Sequence, residues 1–124
     1  LVVNRKETIL PDFPDFIRRL PDVDIPFAGI TGQLLQGEKQ QVVFMEASAD
    51  TPVPEHSHRA QWELVIAGKV DLTISGEQRT YRAGDSFYIP EGTPHSALVH
   101  AGFRSVIFFD QADRYRALGA DRGF

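Results

Sequence analysis

From Phe27 onward the chain alternates short apolar runs with turn residues. In "KVDLTIS", Val70, Leu72 and Ile74 alternate with polar side chains, so an extended segment there has one apolar and one polar face. Runs of this length, rich in Val, Ile, Phe and Tyr and bounded by Gly, Pro or Asp, are typical of strands. They are "GITGQLLQG", "QQVVFMEA", "WELVIAGKVDLTISG", "QRTYRAGDSFYIP", "HSALVHAG" and "FRSVIFF". With no helical period between them, they predict about six to eight strands in an all-β sandwich or small barrel.

The two ends of the chain have a different pattern. Residues 1–26 are rich in Pro and Asp and offer at most a short helix around Phe13 to Leu20, so we predict an N-terminal arm that covers a sheet edge. Residues 27–112 form the predicted barrel, and residues 113–124 form a C-terminal tail. The tail is compatible with a short helical turn or with an extended arm. A chain of 124 residues is expected to fold as a single domain.

Composition and charge narrow the classes of partner. The hydrophobic content of 42 % is enough for a packed interior, and the net charge of −4 gives no attraction to phosphate backbones, so no nucleic acid partner is expected. No apolar run approaches the roughly 20 residues that span a bilayer, and "LVVNRKETIL" lacks the pattern of a secretion signal. We therefore expect no membrane partner and a cytoplasmic protein. The absence of Cys excludes disulfides and thiolate ligands.

Three of the four histidines lie where they can converge. In "PEHSHRAQWE", His56 and His58 are two residues apart, so in extended backbone both rings project from one face with Cα atoms about 6.5 Å apart. Gln61 and Glu63 share a side for the same reason, and "GDSFYIPEGTPHS" delivers His95 to the start of a strand. Imidazoles with an oxygen donor suit a divalent transition metal. A lone His-x-His in a polar loop, by contrast, is usually just solvated.

The order of these residues resembles the first motif of the cupin superfamily. In that motif His-x-His is followed by an acidic or amide ligand and then by a turn glycine, as His56, His58, Gln61 and Gly68 are here. The segment "HSHRAQW" is similar to a group of small single-domain cupins of the cupin 2 type, which carry Ala-Gln-Trp after the histidines. The stretch from Gly84 to His95 resembles the second motif, with its glycines, proline and histidine in register.

The resemblance implies a fold and a ligand set. The fold is the cupin double-stranded β-helix, a small jelly-roll-like barrel. The ligands are His56, His58, Gln61 and His95 around one divalent transition metal ion, which is iron, manganese, nickel or zinc. Here Gln61 stands in place of the usual acidic ligand, and Glu63 stands where related small cupins usually carry Gly. Glu63 is therefore either the oxygen ligand itself or a general base beside the ion.

The other chemically active side chains receive weaker assignments. Tyr88, and less so Tyr81, are candidates to donate a hydrogen bond to a substrate, and Tyr88 is taken with Glu63 as the predicted catalytic pair. Trp62 is expected to face away from the ligands. On strand parity His100 also faces away from His95, and we expect it to be solvent exposed.

About half of the strand aromatics and their neighbours should point into the barrel. This set comprises Phe44, Met45, Phe87, Tyr88, Phe108 and Phe109.

The predicted function is that of a metal-dependent enzyme acting on a small-molecule substrate that binds the ion through oxygen. By resemblance the reaction is an oxygenation, an isomerisation, or a decarboxylation or lyase reaction. The alternative is a non-catalytic cupin that binds or senses a small molecule, and a weaker one is a metal-free barrel. We also expect a homodimer, formed through sheet edges and an exchanged terminal arm.

Overall fold

The computed structural model describes residues 12–119, which form one short helix and nine strands. The helix is α1 (Asp15–Arg18), and the strands are β1 (Ile30–Gln36), β2 (Gln41–Ala47), β3 (Thr51–His56), β4 (Gln61–Ala67), β5 (Lys69–Ile74), β6 (Glu77–Arg82), β7 (Ser86–Ile89), β8 (His95–Val99) and β9 (Arg104–Phe109). Within this range no helix has the length and apolar character needed to cross a membrane. The all-β prediction is confirmed.

The strands form two antiparallel sheets that enclose a common core. The five-stranded sheet has the order β1-β2-β9-β4-β7, and the four-stranded sheet has the order β3-β8-β5-β6. Burial alternates along the strands, so every second side chain of β2 and β4 points inward. Val43, Val65, Phe103 and Ile107 are almost completely buried between the sheets. Two sheets packed face to face leave a small interior space between them.

Strand β3 was not among the apolar runs that predicted the other eight strands. Its sequence, "TPVPEH", contains Pro52 and Pro54, which donate no hydrogen bond to a neighbouring strand. The structure accommodates both prolines because β3 is an edge strand and pairs only with β8. The count is therefore nine strands instead of about six to eight, and the additional strand is the one that carries His56.

The N-terminal arm covers the free edge of β1, as predicted. The backbone N–H of Val23 donates to the carbonyl of Gly32 at 2.9 Å, and the N–H of Leu34 donates to the carbonyl of Pro21 at 2.8 Å. Farther back, Phe13 packs edge-on against Phe44 with ring centroids 5.5 Å apart. Thus α1 lies over one end of the outer face of the five-stranded sheet. Residues 1–11 of the predicted arm lie outside the described residues.

Within residues 113–119 the C-terminal segment consists of bends, an isolated β-bridge and a turn, with no helix. Ala117 forms a β-bridge with Val23, so this segment pairs with the segment that precedes β1. The buried side chain of Gln41 donates to the carbonyl of Tyr115 at 2.8 Å and accepts from its N–H at 3.0 Å. We call residues 113–119 the C-terminal strap. Residues 120–124 lie outside the described part, and the domain limits at 26 and 112 stay a prediction.

Strand parity sorts the aromatic side chains as expected. Met45, Phe87 and Phe109 are buried, whereas Tyr88 and Phe108 are exposed and Phe44 is half-buried on the outer face. Half of the predicted set therefore points into the barrel. The inward half forms the wall of the interior space.

Candidate metal centre

Two strands and one loop bring the three histidines together. His56 is the last residue of β3 and pairs in register with His95, the first residue of β8. His58 follows in the short loop that leads to β4. The hydrogen bond from the N–H of Gly92 to the carbonyl of His58, at 2.9 Å, ties this loop to the turn before β8. Antiparallel pairing thus joins residues that are far apart in the sequence.

The three rings form a tight triangle. Their centroids are 5.2 Å apart for His56 and His58, 4.3 Å for His56 and His95, and 4.8 Å for His58 and His95. One ring nitrogen from each lies within 4.8 Å of the others. This spacing suits three imidazoles that bind a single ion.

Hydrogen bonds assign the same tautomer to all three rings. In each ring Nδ1 lies within hydrogen-bond distance of a nearby backbone carbonyl, and because a carbonyl only accepts, Nδ1 must carry the proton. The pairs are His56 with Pro54 at 2.8 Å, His58 with Arg59 at 2.7 Å, and His95 with Thr93 at 2.8 Å. Each ring is therefore left with an unprotonated Nε2, the form that binds a metal.

Burial favours the neutral form of His58 and His95 and leaves one nitrogen without a partner. Burial lowers the pKa of His58 to about 4, and it also lowers the pKa of His95. Nε2 of His58 is buried and has no hydrogen-bond partner among the described residues. A buried nitrogen without a partner is costly, and a bound cation would satisfy it. The donor set therefore fits a divalent transition metal ion.

Gln61 and Glu63 both point inward from β4, as their spacing predicted. Both are buried, and the amide Nε2 of Gln61 donates to Oε1 of Glu63 at 2.8 Å. Burial raises the pKa of the Glu63 carboxyl to about 7. This hydrogen bond uses the amide nitrogen of Gln61 and not its carbonyl oxygen.

A cavity of about 70 Å³ joins these residues inside the barrel. The histidines, Gln61 and Glu63 supply polar groups, and most of the remaining wall is apolar. Arg114 and Tyr115 of the C-terminal strap also line it. No motif in the sequence marked these two residues as part of the site. The only signal was an arginine beside an aromatic residue in "DRYR", in a tail whose conformation the sequence left open.

Two predicted participants lie away from the cluster. Tyr88 is 59 % exposed on the outer face and pairs across the strands with Trp62, because its neighbours Phe87 and Ile89 point inward. The assignment of Tyr88 as a catalytic residue is corrected accordingly. Tyr81 packs against Phe87, with ring centroids 4.7 Å apart, and does not line the cavity.

His100 is also outside the cluster, but it is not simply exposed. Its side chain is 22 % exposed, and Nε2 lies 2.7 Å from Oδ2 of Asp71 on β5. The polar side chain of Asp71 on β5 therefore decided the environment of His100. Trp62 faces outward as expected and packs near Phe108, with ring centroids 5.8 Å apart.

Comparison with solved structures identifies the fold. An RmlC-like cupin from Shewanella frigidimarina NCIMB 400 superposes with a TM-score of 0.67 at 23 % sequence identity, over 76 % of this chain and 86 % of that chain. At this level of identity the likeness shows the fold alone. It confirms the double-stranded β-helix that the resemblance implied.

Two curated proteins match about half of the chain. Quercetin 2,3-dioxygenase of Bacillus subtilis (strain 168) is 37 % identical over 62 residues, which are 48 % of this chain and 18 % of that protein. Mannose-1-phosphate guanylyltransferase ManC of Salmonella typhimurium is 36 % identical over 61 residues, which are 48 % of this chain and 13 % of that protein. The chain thus spans less than a fifth of these relatives, which carry out different reactions.

The sequence profile of the Cupin domain family (Cupin_2) matches residues 41–109. This range is more than half of the chain and contains both histidine segments. Together with the two-sheet barrel and its cluster of three histidines, the match shows that the chain belongs to the cupin domain family.

Proposed function

We propose that this cupin binds one divalent transition metal ion through Nε2 of His56, His58 and His95 and uses it to transform a small oxygen-bearing organic molecule. The observation that supports this most is the shared tautomer: Nδ1 of each ring faces a backbone carbonyl, which leaves Nε2 of each for an ion, and Nε2 of His58 is buried without a partner among the described residues. Iron, manganese, nickel and zinc all accept imidazole ligands.

Gln61 is the proposed oxygen ligand. Its amide is oriented by the hydrogen bond to Glu63, and an amide carbonyl adds no charge to the site. With only neutral ligands, a divalent ion retains its full charge and polarises a bound oxygen strongly. The other arrangement, in which Glu63 binds the ion, would hold the ion more tightly and weaken this polarisation.

The chain itself supplies positioning, exclusion of water and a proton carrier. When bound, the metal supplies Lewis acidity and orients the substrate through its oxygens. The apolar wall excludes bulk water from the cavity. Among the described residues that line the cavity, Glu63 is the only carboxylic acid, and we assign to its carboxyl oxygens the transfer of a proton to or from the substrate.

Metal content and thermal stability test the site directly. The protein, purified without chelator and incubated with zinc, should hold one metal ion per chain by mass spectrometry of the elements. His58→Ala should lose at least about tenfold in metal affinity, whereas His100→Ala, the same change at a histidine outside the cluster, should retain it. EDTA should lower the melting temperature of the wild type but not that of His58→Ala. Equal metal content in the wild type and His58→Ala would refute the proposal.

Turnover separates an enzyme from a binding module. Oxygenation is the first reaction to test, because one matched relative is a quercetin 2,3-dioxygenase. Oxygen uptake and product analysis with hydroxy and keto acids would detect oxygenation, isomerisation or decarboxylation. Glu63→Gln should bind metal normally and lose most of the turnover. If these acids bind to the wild type and none is converted, the protein is a non-catalytic binding or sensing cupin.

We also propose that the protein is a homodimer. Five apolar side chains form a row, here called the outer row, across all strands of the five-stranded sheet: Leu35, Val42, Phe108, Trp62 and Tyr88. Four of them are exposed, and Val42 is half-buried. The row contains no charged side chain, and Phe13, which precedes α1, packs on Phe44 beside the row. An uncharged face of this width fits the same face of a second copy. The cytoplasmic location stays a prediction.

A further inference from the structure

Arg114 occupies the boundary between the interior cavity and the protein surface. It lines the cavity that contains the three histidines, and it also lines an open groove beside it, together with His56 and Glu55. The strap that carries Arg114 is held in place by the two hydrogen bonds between Gln41 and the backbone of Tyr115. Its position is therefore set by the fold and does not depend on an exposed loop.

The guanidinium of Arg114 lies beside two aromatic rings and has no carboxylate partner within the described part of the chain. Its Cζ lies 4.3 Å from the centre of the Tyr115 ring and 5.8 Å from that of Phe109, so two aromatic rings hold it. Its Nε is buried without a hydrogen-bond partner among the described residues. Arg18, Arg59, Arg79 and Arg104 each form an ion pair with a carboxylate, and no such pair involves Arg114 within residues 12–119.

Neither of the two nearby carboxylic acids, Glu63 and Glu55, forms an ion pair with Arg114. Glu63 in the cavity wall accepts a hydrogen bond from Gln61, and Glu55 in the groove is exposed to water. A positive charge that is partly buried and unpaired is a site for an anion.

We propose that Arg114 binds the carboxylate of a small organic acid whose second oxygen group faces His56, His58 and His95. This inference rests on the proposed function and names its class of substrate. A planar guanidinium matches a carboxylate with two parallel hydrogen bonds. The cavity, at about 70 Å³, is smaller than the roughly 150 Å³ that holds benzene, so the acid is short. In this arrangement Arg114 positions the substrate, and the histidine cluster faces the group that reacts.

A double-mutant cycle tests the contact. The two ligands are glycolate and glycolamide, which share a hydroxyl and differ in the charge of the other end. The two proteins are the wild type and Arg114→Gln, both loaded with zinc, which has no redox chemistry. Because any preference of the metal for carboxylate is present in both proteins, the cycle isolates the contribution of Arg114. Affinities are measured by isothermal titration calorimetry.

The Kd of glycolate should rise at least about tenfold in Arg114→Gln, and that of glycolamide should change less than about threefold. Arg116→Gln, which removes the same charge from the same strap outside the cavity, should leave both values unchanged. Arg114→Lys keeps the charge without the two-pronged geometry and should give an intermediate value. Should Arg114→Gln fold poorly, as judged by its melting curve, Arg114→Lys provides the measurement.

Repeating the cycle after EDTA treatment separates this inference from the proposed metal site. A wild type that binds no zinc, yet shows a preference for glycolate that depends on Arg114, refutes the metal site and supports the anion site. A wild type that binds zinc, but whose affinity for glycolate changes less than about twofold in both Arg114 variants, overturns the anion site alone.

Discussion

At the scale of single residues, the unpaired ring nitrogen of His58 is the strongest local indication of a bound cation. Nε2 of His58 is buried without a partner, and leaving such a group unsatisfied costs about 1–3 kcal/mol. The proton on Nδ1 cannot move to relieve this, because the carbonyl of Arg59 already accepts it at 2.7 Å. The unpaired nitrogen therefore destabilises the metal-free fold locally, and a bound cation would remove this penalty.

Gly68 is a second position where one atom matters. Its φ is +71°, and a Cβ there would lie 2.8 Å from the backbone N and Cα of Phe103. Gly84 has a φ of +92°, but nothing lies within 4 Å of its added Cβ. Both alanine variants have an unfavourable φ, which costs about 1–2 kcal/mol, and only Gly68→Ala also collides with backbone.

We therefore expect Gly68→Ala to lower the free energy of unfolding by at least about 1 kcal/mol more than Gly84→Ala does. Urea unfolding of the two variants and the wild type gives both values. Equal losses would mean that the close approach to Phe103 is relieved without cost.

At the scale of elements, Glu46 links three parts of the fold. From β2 its carboxylate accepts from Nη1 of Arg18 in α1 at 2.9 Å and from Nε of Arg104 in β9 at 3.2 Å. These hydrogen bonds, that to Arg18 first, hold the pKa of Glu46 below its usual value. The folded state therefore favours the ionised form.

This direction predicts how the stability depends on pH. With a folded-state pKa below the unfolded value of about 4.3, Glu46 stabilises the fold above that value, and the contribution is lost as the pH falls through the folded-state pKa. Glu46→Gln should lower the free energy of unfolding by about 0.5–1 kcal/mol at neutral pH, and the difference should shrink below about pH 4. Urea unfolding across this range measures it. Glu38→Gln, at an exposed turn, should show no such trend.

One side chain from β2, that of Gln41, holds the middle of the strap. Gln41 bonds the N–H and the carbonyl of Tyr115, and its replacement by alanine leaves both without these partners. We expect Gln41→Ala to release the strap, with trypsin cleavage after Arg114 and Arg116 accelerated about tenfold or more. Gln40→Ala, one residue earlier and exposed, is the control. Unchanged cleavage would show that the β-bridge of Val23 and Ala117 holds the strap by itself.

At the scale of the whole molecule, the outer row predicts the assembly. Trp62 is central in it, so Trp62→Ser should turn a dimer into a monomer at micromolar concentration, as measured by light scattering after size-exclusion chromatography. Leu98→Ser is the matched control, because Leu98 is 37 % exposed on the other sheet and Trp62 is 39 % exposed. Dissociation by Leu98→Ser alone would move the interface to the four-stranded sheet.

The sequence by itself determined the features that depend on the alternation of side chains along a single strand. The alternation in β5 predicted its buried face, and the spacing of two residues predicted that Gln61 and Glu63 share the interior. The two histidine motifs predicted a cluster, and the structure brings His56, His58 and His95 together as expected. These results follow because a strand places every second side chain on one side, whatever its neighbours are.

Only the tertiary structure decided the features that depend on strand pairing. It made "TPVPEH" a strand, because an edge position tolerates its prolines, and it turned Tyr88 outward by placing Phe87 and Ile89 against the core. It also brought Arg114 from the C-terminal strap to the histidine cavity. Such contacts join residues distant in the sequence, and their energies exist only once the sheets have packed. No local pattern of polar and apolar residues encodes them.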